Sequence, residues 1–370
     1  MKYDNQLRYA INIIKEYDGR HPLAAWLKDF FRENKQMGSR DRKTVSELVY
    51  GYFRLGHNQY ASVEERMLTG LFAGDNLPEL TTYFKSAEES LPAVSIDKIF
   101  PWSNLLSEEI DAPSFAASFL KQPDLFIKIR PGKKDQVTGK LDAAGITYKI
   151  SGDCIALPNS TKAAALLKIN EEAVIQDKSS QRTGLLVRNL TVKTVWDCCA
   201  ASGGKSIMLF DLLPWVELTV SDVRASVINN LKDRFREASI RDYDAFVTDL
   251  SVDHAGLPEK EFDLIVADVP CTGSGTWSRT PEQLLFFRKK KINYYTGLQK
   301  KIIDKSLTRL KPGGHYLYIT CSVFREENEK MTAYLQTEKQ LQLVEQKLIK
   351  GYEEKADTLF AALFTDTRGR

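Results

Sequence analysis

The 370 residues, 43% hydrophobic and 27% charged, fall in the range of ordinary globular proteins and leave room for two or three domains. With 52 Lys and Arg against 49 Asp and Glu, the formal charge of +3 does not announce a nucleic-acid binder, so any basic surface has to be local. The five cysteines (Cys154, Cys198, Cys199, Cys271, Cys321) are odd in number and scattered, which argues against a disulfide framework, and the absence of a CxxC pair argues against structural zinc.

The opening MKYDNQLRYAINIIKEYDGR lacks the apolar core of a secretory leader. No stretch reaches the roughly 18 apolar residues of a membrane span, and a cytoplasmic location is expected. Apolar residues then recur at three and four (Leu7, Ala10, Ile11, Ile14; Leu23, Trp26, Leu27, Phe30, Phe31), the period of packed helices. Ser39 is read as the cap of a further helix whose apolar face is Val45, Leu48, Val49, Tyr52 and Phe53. A helical domain is therefore expected over residues 1–122, its last part broken by prolines. Residues 123–178 change to short mixed units, DLFIKIRP and CIALPN as strands around a helix, and form a small α/β module.

From residue 179 to 370 apolar strands alternate with helices: TVWDCC, VELTVSD, AFVTD, FDLIVAD and HYLYITC, with a helix from Ala225 to about Glu237. That alternation predicts a doubly wound parallel sheet. After the first of these strands comes the turn Cys199-Ala200-Ala201-Ser202-Gly203-Gly204-Lys205, whose paired glycines let backbone approach a ligand. The spacing is not that of a phosphate-binding P-loop. Asp222, Asp249 and Asp268 close the next strands and so face the carboxyl edge of the sheet, where ligands of such folds bind. Any α/β protein has a glycine turn and some strand-end acids, but four acids, counting Asp197, favour an adenosyl cofactor. Cys271, in Asp268-Val269-Pro270-Cys271, and Cys321, in Thr320-Cys321-Ser322, both follow apolar strands and reach the same edge. One strand-end cysteine is most often an inert small hydrophobe; two, one of them beside an acid and a proline, point to chemistry.

At CAASGGK, DVPCTGSGTWSRTPE, LKPGG and YITCSVFREENE the chain resembles the Sun/Nop family of RNA cytosine-5 methyltransferases, in particular the bacterial RsmB-like branch that modifies 16S ribosomal RNA. SRDRKTVSELVYGYFR resembles the NusB-like helical RNA-binding domain of that branch, and the small module is expected to be RRM-like. The resemblance implies a Rossmann-like class I domain, S-adenosylmethionine as cofactor held by residues 199–205, Asp222, Asp249 and Asp268, and a covalent mechanism. It assigns Cys321 as nucleophile at cytosine carbon 6, Asp268 as the group that protonates or hydrogen-bonds ring N3, and Cys271 as the group that releases the proton on carbon 5. Lys205 and the cofactor's positive charge would favour the thiolate. Gly273 and Gly275 would let a loop close over a flipped base.

The sequence departs from the family at Ser202 (usually Pro), Val227 (usually Arg) and Pro131 (usually Asn). Basic runs at Arg40, Arg42 and Lys43, at Lys128, Arg130, Lys133 and Lys134, and at Arg288 to Lys291 are either phosphate contacts or solvated faces, and Phe286, Phe287, Tyr294 and Tyr295 stand near the last as base-stacking candidates. Trp277 either walls the site or is simple packing. A ribosomal RNA substrate is expected, acted on by a monomer without metal or membrane contact. The alternatives are a tRNA substrate, a silent RNA-binding assembly factor, or a methyltransferase for proteins or small molecules, in which an Asn-Pro-Pro-Tyr type loop would stand where DVPC does.

Overall fold

A computed structural model describes residues 3–74, 77–213 and 215–367. It divides into two compact units: one of residues 1–106, 110–123 and 276–289, the other of residues 107–109, 124–275 and 290–370.

The first unit is helical. Helices α1 (Asp4–Glu16), α2 (Leu23–Glu33), α3 (Ser39–Arg54) and α4 (Val63–Ala73) bury one face each, among them Leu7, Ala10, Ile13 and Ile14 of α1 and Val45, Leu48, Val49 and Phe53 of α3. The three-and-four spacing of those residues is what turns a polar helix into one side of a core. Ser39 is the first helical residue and not the cap. Gly38 caps α3, and its N–H donates to Asp41 Oδ2 at 3.2 Å, so the acid three residues on satisfies an end that a serine hydroxyl was expected to serve.

Residues 276–289 fall within the range whose sequence reads as the methyltransferase domain, yet they pack with the helices. Buried Arg54 donates to the carbonyls of Phe119 (2.9 Å) and Ser278 (3.0 Å), and Glu282 Oε1 accepts from the N–H of Leu23 at 3.1 Å. Trp277 is buried against Trp102 and Phe287, and Phe286 lies edge-on to Tyr17 with 5.5 Å between ring centroids. These three aromatics are core packing, and the stacking role considered for Phe286 and Phe287 is corrected accordingly.

The second unit holds two sheets. The smaller contains β1 (Leu125–Ile129), β2 (Lys149–Ser151), β3 (Cys154–Leu157) and β4 (Ala173–Ile175) in the order β2-β3-β1-β4, all antiparallel, with Val137 and Leu141 of the helix Lys134–Ala143 closing its core. Lys128 and Arg130 at the end of β1 are not a phosphate surface. Arg130 Nε lies 2.9 Å from Asp211 Oδ2, Lys128 Nζ lies 4.0 Å from the same oxygen, and all three side chains are nearly buried. Burial raises the pKa of Asp211, against the pull of Arg130.

The larger sheet contains β5 (Thr194–Asp197), β6 (Glu217–Asp222), β7 (Tyr243–Val247), β8 (Phe262–Asp268), β9 (Leu310–Thr320), β10 (Leu341–Ile349) and β11 (Leu359–Asp366) in the order β10-β11-β9-β8-β5-β6-β7. Strands β5 to β9 pair in parallel, while β11 runs antiparallel to both β9 and β10, so the expected all-parallel sheet carries one reversed strand. Val195, Leu218, Val220, Leu264, Val266, Leu317 and Ile319 form the core of this sheet, which explains why its strands read as apolar runs. The strand order reverses at β5, and the register sets Asp197 beside Val266 of β8 and Val220 of β6. The carboxyl ends of these strands therefore share one edge, at the switch point where such folds bind ligands. Among the described residues, no helix is long and apolar enough to cross a membrane.

Candidate active site

The turn after β5 is built to expose backbone. Ala201 takes φ +46° and Gly203 φ +82°, and Gly203 N–H closes the turn onto Ala200 O at 2.9 Å. A Cβ on Gly203 would also stand 2.8 Å from Phe235, so this position needs glycine twice over, for its φ and for its space. Ser202, where the family resemblance expects proline, is tied by Arg234 instead: Nη1 donates to Ser202 Oγ at 2.8 Å and to Ser202 O at 2.9 Å. The same guanidinium reaches Asn170 Oδ1 at 3.1 Å and links the turn to the small module.

A cavity of about 550 Å³ opens beside this turn, lined by Cys199, Ala201, Asp222, Asp249, Asp268, Cys271 and Cys321, with Val223, Leu250, Val269, Leu298 and Ile302 as its apolar walls. Of the other turn residues, Ala200 is buried in the core, while Gly204 and Lys205 begin the helix Gly204–Leu212. Asp222 accepts from Ala201 N (3.1 Å) and from Arg224 N and Nε (3.0 Å each). Burial pushes its pKa up, but those hydrogen bonds outweigh burial and hold the carboxyl below the ordinary range. Arg224 thus supplies a cation beside the acid, although Val227 stands where an arginine was expected. Asp249 accepts from Ser251 Oγ at 2.6 Å and from Ser251 N at 2.8 Å, and these bonds lower its pKa.

On the floor of the edge, Lys205 Nζ lies 2.7 Å from Asp268 Oδ2. Burial pulls the lysine's pKa down, but Asp268, Cys321 and Asp197 outweigh it and keep the ammonium charged. Asp268 thus faces the lysine across an ion pair at the carboxyl end of β8. Asp197 is fully buried, and its Oδ2 accepts from Ser206 Oγ at 2.6 Å. Burial lifts its pKa to about 7, with Ser206 opposing and Asp268 adding.

The two cysteines meet. Cys271 Sγ lies 3.2 Å from Cys321 Sγ, and that contact together with burial pushes the pKa of Cys271 well up, so Cys271 keeps its proton. Their loops are clamped from behind. Gly275 N–H donates to Cys321 O and Thr358 N–H to Gly275 O, both at 2.9 Å, and a Cβ on Gly275 would stand 1.8 Å from Thr358 O. The glycine expected to hinge a closing loop is a fixed backbone crossing. Glu327, fully buried, accepts from Thr272 N (2.9 Å), Thr272 Oγ1 (2.6 Å), Ser322 Oγ (2.5 Å) and Gln299 Nε2 (3.2 Å). Sequence reasoning passed over Glu327; its only signal was an acid within the YITCSVFREENE run. Tyr294 also lines the cavity and is 67% exposed.

Comparison with known proteins follows the same lines. Solved structures share this Rossmann-like fold: that of the protein PH0851 superposes with TM-score 0.72 over 97% of this chain and 98% of its own at 19% identity, and a methyltransferase homolog protein from Pyrococcus horikoshii with 0.60 over 71% and 92% at 21%. Residues 185–362 match the family model described as 16S rRNA methyltransferase RsmB/F. Ribosomal RNA small subunit methyltransferase B of Xylella fastidiosa is 30% identical over 266 residues, 68% of this chain and 61% of that protein; the Cronobacter sakazakii protein of the same name is 30% identical over 58% of this chain and 52% of its own. Over residues 185–362 the chain is thus similar to the RsmB/F methyltransferases. It spans about six-tenths of the length of the Xylella relative.

Proposed function

We propose that the protein methylates carbon 5 of a cytosine in small-subunit ribosomal RNA, using S-adenosylmethionine and a covalent bond from Cys321. The observation that supports this reading is the 3.2 Å approach of two cysteine sulfurs on the wall of a cavity whose polar lining includes three carboxylates, Asp222, Asp249 and Asp268, at or just past strand ends. A nucleoside with a sulfonium side chain suits that donor set. Asp222, ionised by its hydrogen bonds, would take ribose hydroxyls, Asp249 and the apolar Val223 and Leu250 would hold the purine side, and the exposed turn at Ala201 would take the amino-acid end. When bound, the cofactor supplies an electrophilic methyl group.

Carbon 5 of cytosine is a poor nucleophile, so the Cys321 thiolate first adds to carbon 6. The new S–C bond pushes the ring's 5,6 double-bond pair toward carbon 5, which can then accept the methyl. The Lys205 ammonium meets the negative charge that builds on the ring, and a proton passed from it to Asp268 across their 2.7 Å contact would let that acid hydrogen-bond ring N3. Release needs a base for the carbon 5 proton; Cys271, 3.2 Å from Cys321, serves once its own thiol proton has passed to solvent, and the ring expels Cys321 as a thiolate as the double bond re-forms. The test is transfer of labelled methyl from S-adenosylmethionine to small-subunit ribosomal RNA. Label recovered as 5-methylcytosine with the wild-type chain and lost with Cys321→Ala supports the reading, and label at any other atom refutes it.

A further inference from the structure

Cys271 and Cys321 sit on different loops, one after β8 and one after β9, fifty residues apart in the chain. Sulfurs in contact across two loops need something that fixes the loops to each other. The residue after each cysteine supplies it: Thr272, through both its N–H and its hydroxyl, and Ser322, through its hydroxyl, converge on the one carboxylate of Glu327. The fourth donor, Gln299 Nε2, also bonds Pro270 O at 3.1 Å, the carbonyl just before Cys271, while Gln299 Oε1 accepts from Tyr318 OH of β9 at 3.1 Å. Tyr318 OH in turn lies 2.8 Å from Glu327 O. Every donor aimed at Glu327 thus belongs to a cysteine loop or to a residue bracing one.

A carboxylate with no exposed surface is expensive unless its lone pairs are filled. Here burial raises its pKa and four donated hydrogen bonds oppose that rise. A second apolar residue would have filled this volume without that cost, so the acid is placed for its bonds.

We propose that Glu327 is a positioning residue that latches the Cys271 loop to the Cys321 loop and so sets the distance between the two sulfurs. The role in catalysis rests on the cytosine-5 methyltransferase reading, whereas the latch itself does not, and the two are tested apart. Diamide takes one hydrogen from each thiol as an S–S bond forms and its own N=N is reduced to the hydrazine, so the rate of Cys271–Cys321 disulfide formation, followed by mass spectrometry of the joined peptides, reports how often the sulfurs meet without any methyl transfer. In the full chain, Glu327→Ala is expected to slow this cross-link at least about tenfold, and Glu327→Gln, which keeps an acceptor for Thr272 N–H and a donor for the hydroxyls, to stay within about twofold of wild type. Thr272→Val, which removes one hydroxyl bond and leaves the rest, keeps the test available if the alanine variant does not fold, and should slow the cross-link by about threefold. A Cys271–Cys321 rate unchanged in folded Glu327→Ala, or in Thr272→Val, overturns the latch. A normal cross-linking series from a chain that transfers no methyl group would sink the methyltransferase reading and leave the latch standing.

Discussion

Cys271 Sγ lies 3.2 Å from Cys321 Sγ although fifty residues separate them, because β8 and β9 are parallel neighbours whose carboxyl ends finish side by side. On the proposed mechanism their roles divide: Cys321 opens the reaction and Cys271 closes it. Cys271→Ala should therefore still form the covalent link to RNA but fail to release it. On a denaturing gel the variant is expected to run largely as a protein–RNA conjugate, with turnover down by at least about a hundredfold. A variant that turns over normally, or that forms no conjugate, would contradict the assignment.

Gly275 holds the Cys271 loop against the starts of two other segments. A methyl group there would sit 1.8 Å from Thr358 O and 3.1 Å from Cys321 O, both backbone atoms with nowhere to go. Gly275→Ala should cost about 2 to 3 kcal/mol, read as a lower urea midpoint, with loss of activity alongside. An unchanged midpoint would mean the crossing is looser than its two hydrogen bonds imply.

Asp197 makes stability depend on pH in an unusual direction. Its pKa is raised to about 7, by burial first and by Asp268 second. Below about pH 4 the carboxyl is protonated in both the folded and the unfolded chain, and it costs nothing. Between about pH 4 and about 7 the unfolded chain gives up its proton while the folded chain keeps it, so stability falls as pH rises and then levels off. Melting temperatures of wild type and Asp197→Asn, compared from pH 4 to 7, should diverge in favour of the asparagine variant as pH climbs. Parallel curves would show that the folded carboxyl titrates normally.

Arg130 is interior wiring. Its guanidinium reaches Asp211 Oδ2 at 2.9 Å, Asn170 O at 2.5 Å and Ala238 O at 3.2 Å, joining the small module to the helix Gly204–Leu212 and to the end of the helix Ala225–Glu237. Arg130→Met takes the nearest cation from buried Asp211 and should destabilise the chain by about 3 kcal/mol in urea. RNA affinity at fixed salt should stay within about twofold, whereas a lost phosphate contact would steepen with dilution of salt. A large loss of RNA binding with normal stability would return Arg130 to the RNA surface.

These results mark what sequence pattern carries and what it does not. The helix over Ala225–Glu237, the strand ends at Asp222 and Asp268, and the convergence of Cys271 and Cys321 on one edge were legible because period and strand direction alone fix them. Residues 276–289 were not, since Trp277 and Phe286 are apolar in either unit and their partners, Trp102 and Tyr17, lie far away in the chain. Lys128 and Arg130 read as solvated cations until Asp211, 81 residues beyond Arg130, is known to face them. Glu327 was missed for the same reason: an acid in a charged run looks exposed, and only the three-dimensional meeting of four donors explains its burial.

The covalent step can be caught directly with ribosomal RNA carrying 5-azacytidine, whose ring has nitrogen in place of carbon 5 and so has no proton to release after methyl transfer. Incubated with this RNA and S-adenosylmethionine, the wild-type chain should form a complex that survives denaturant, and peptide mapping should find the ring on Cys321. The complex should vanish with Cys321→Ala. A complex that persists in that variant, or that maps to Cys271, would contradict the account at its centre.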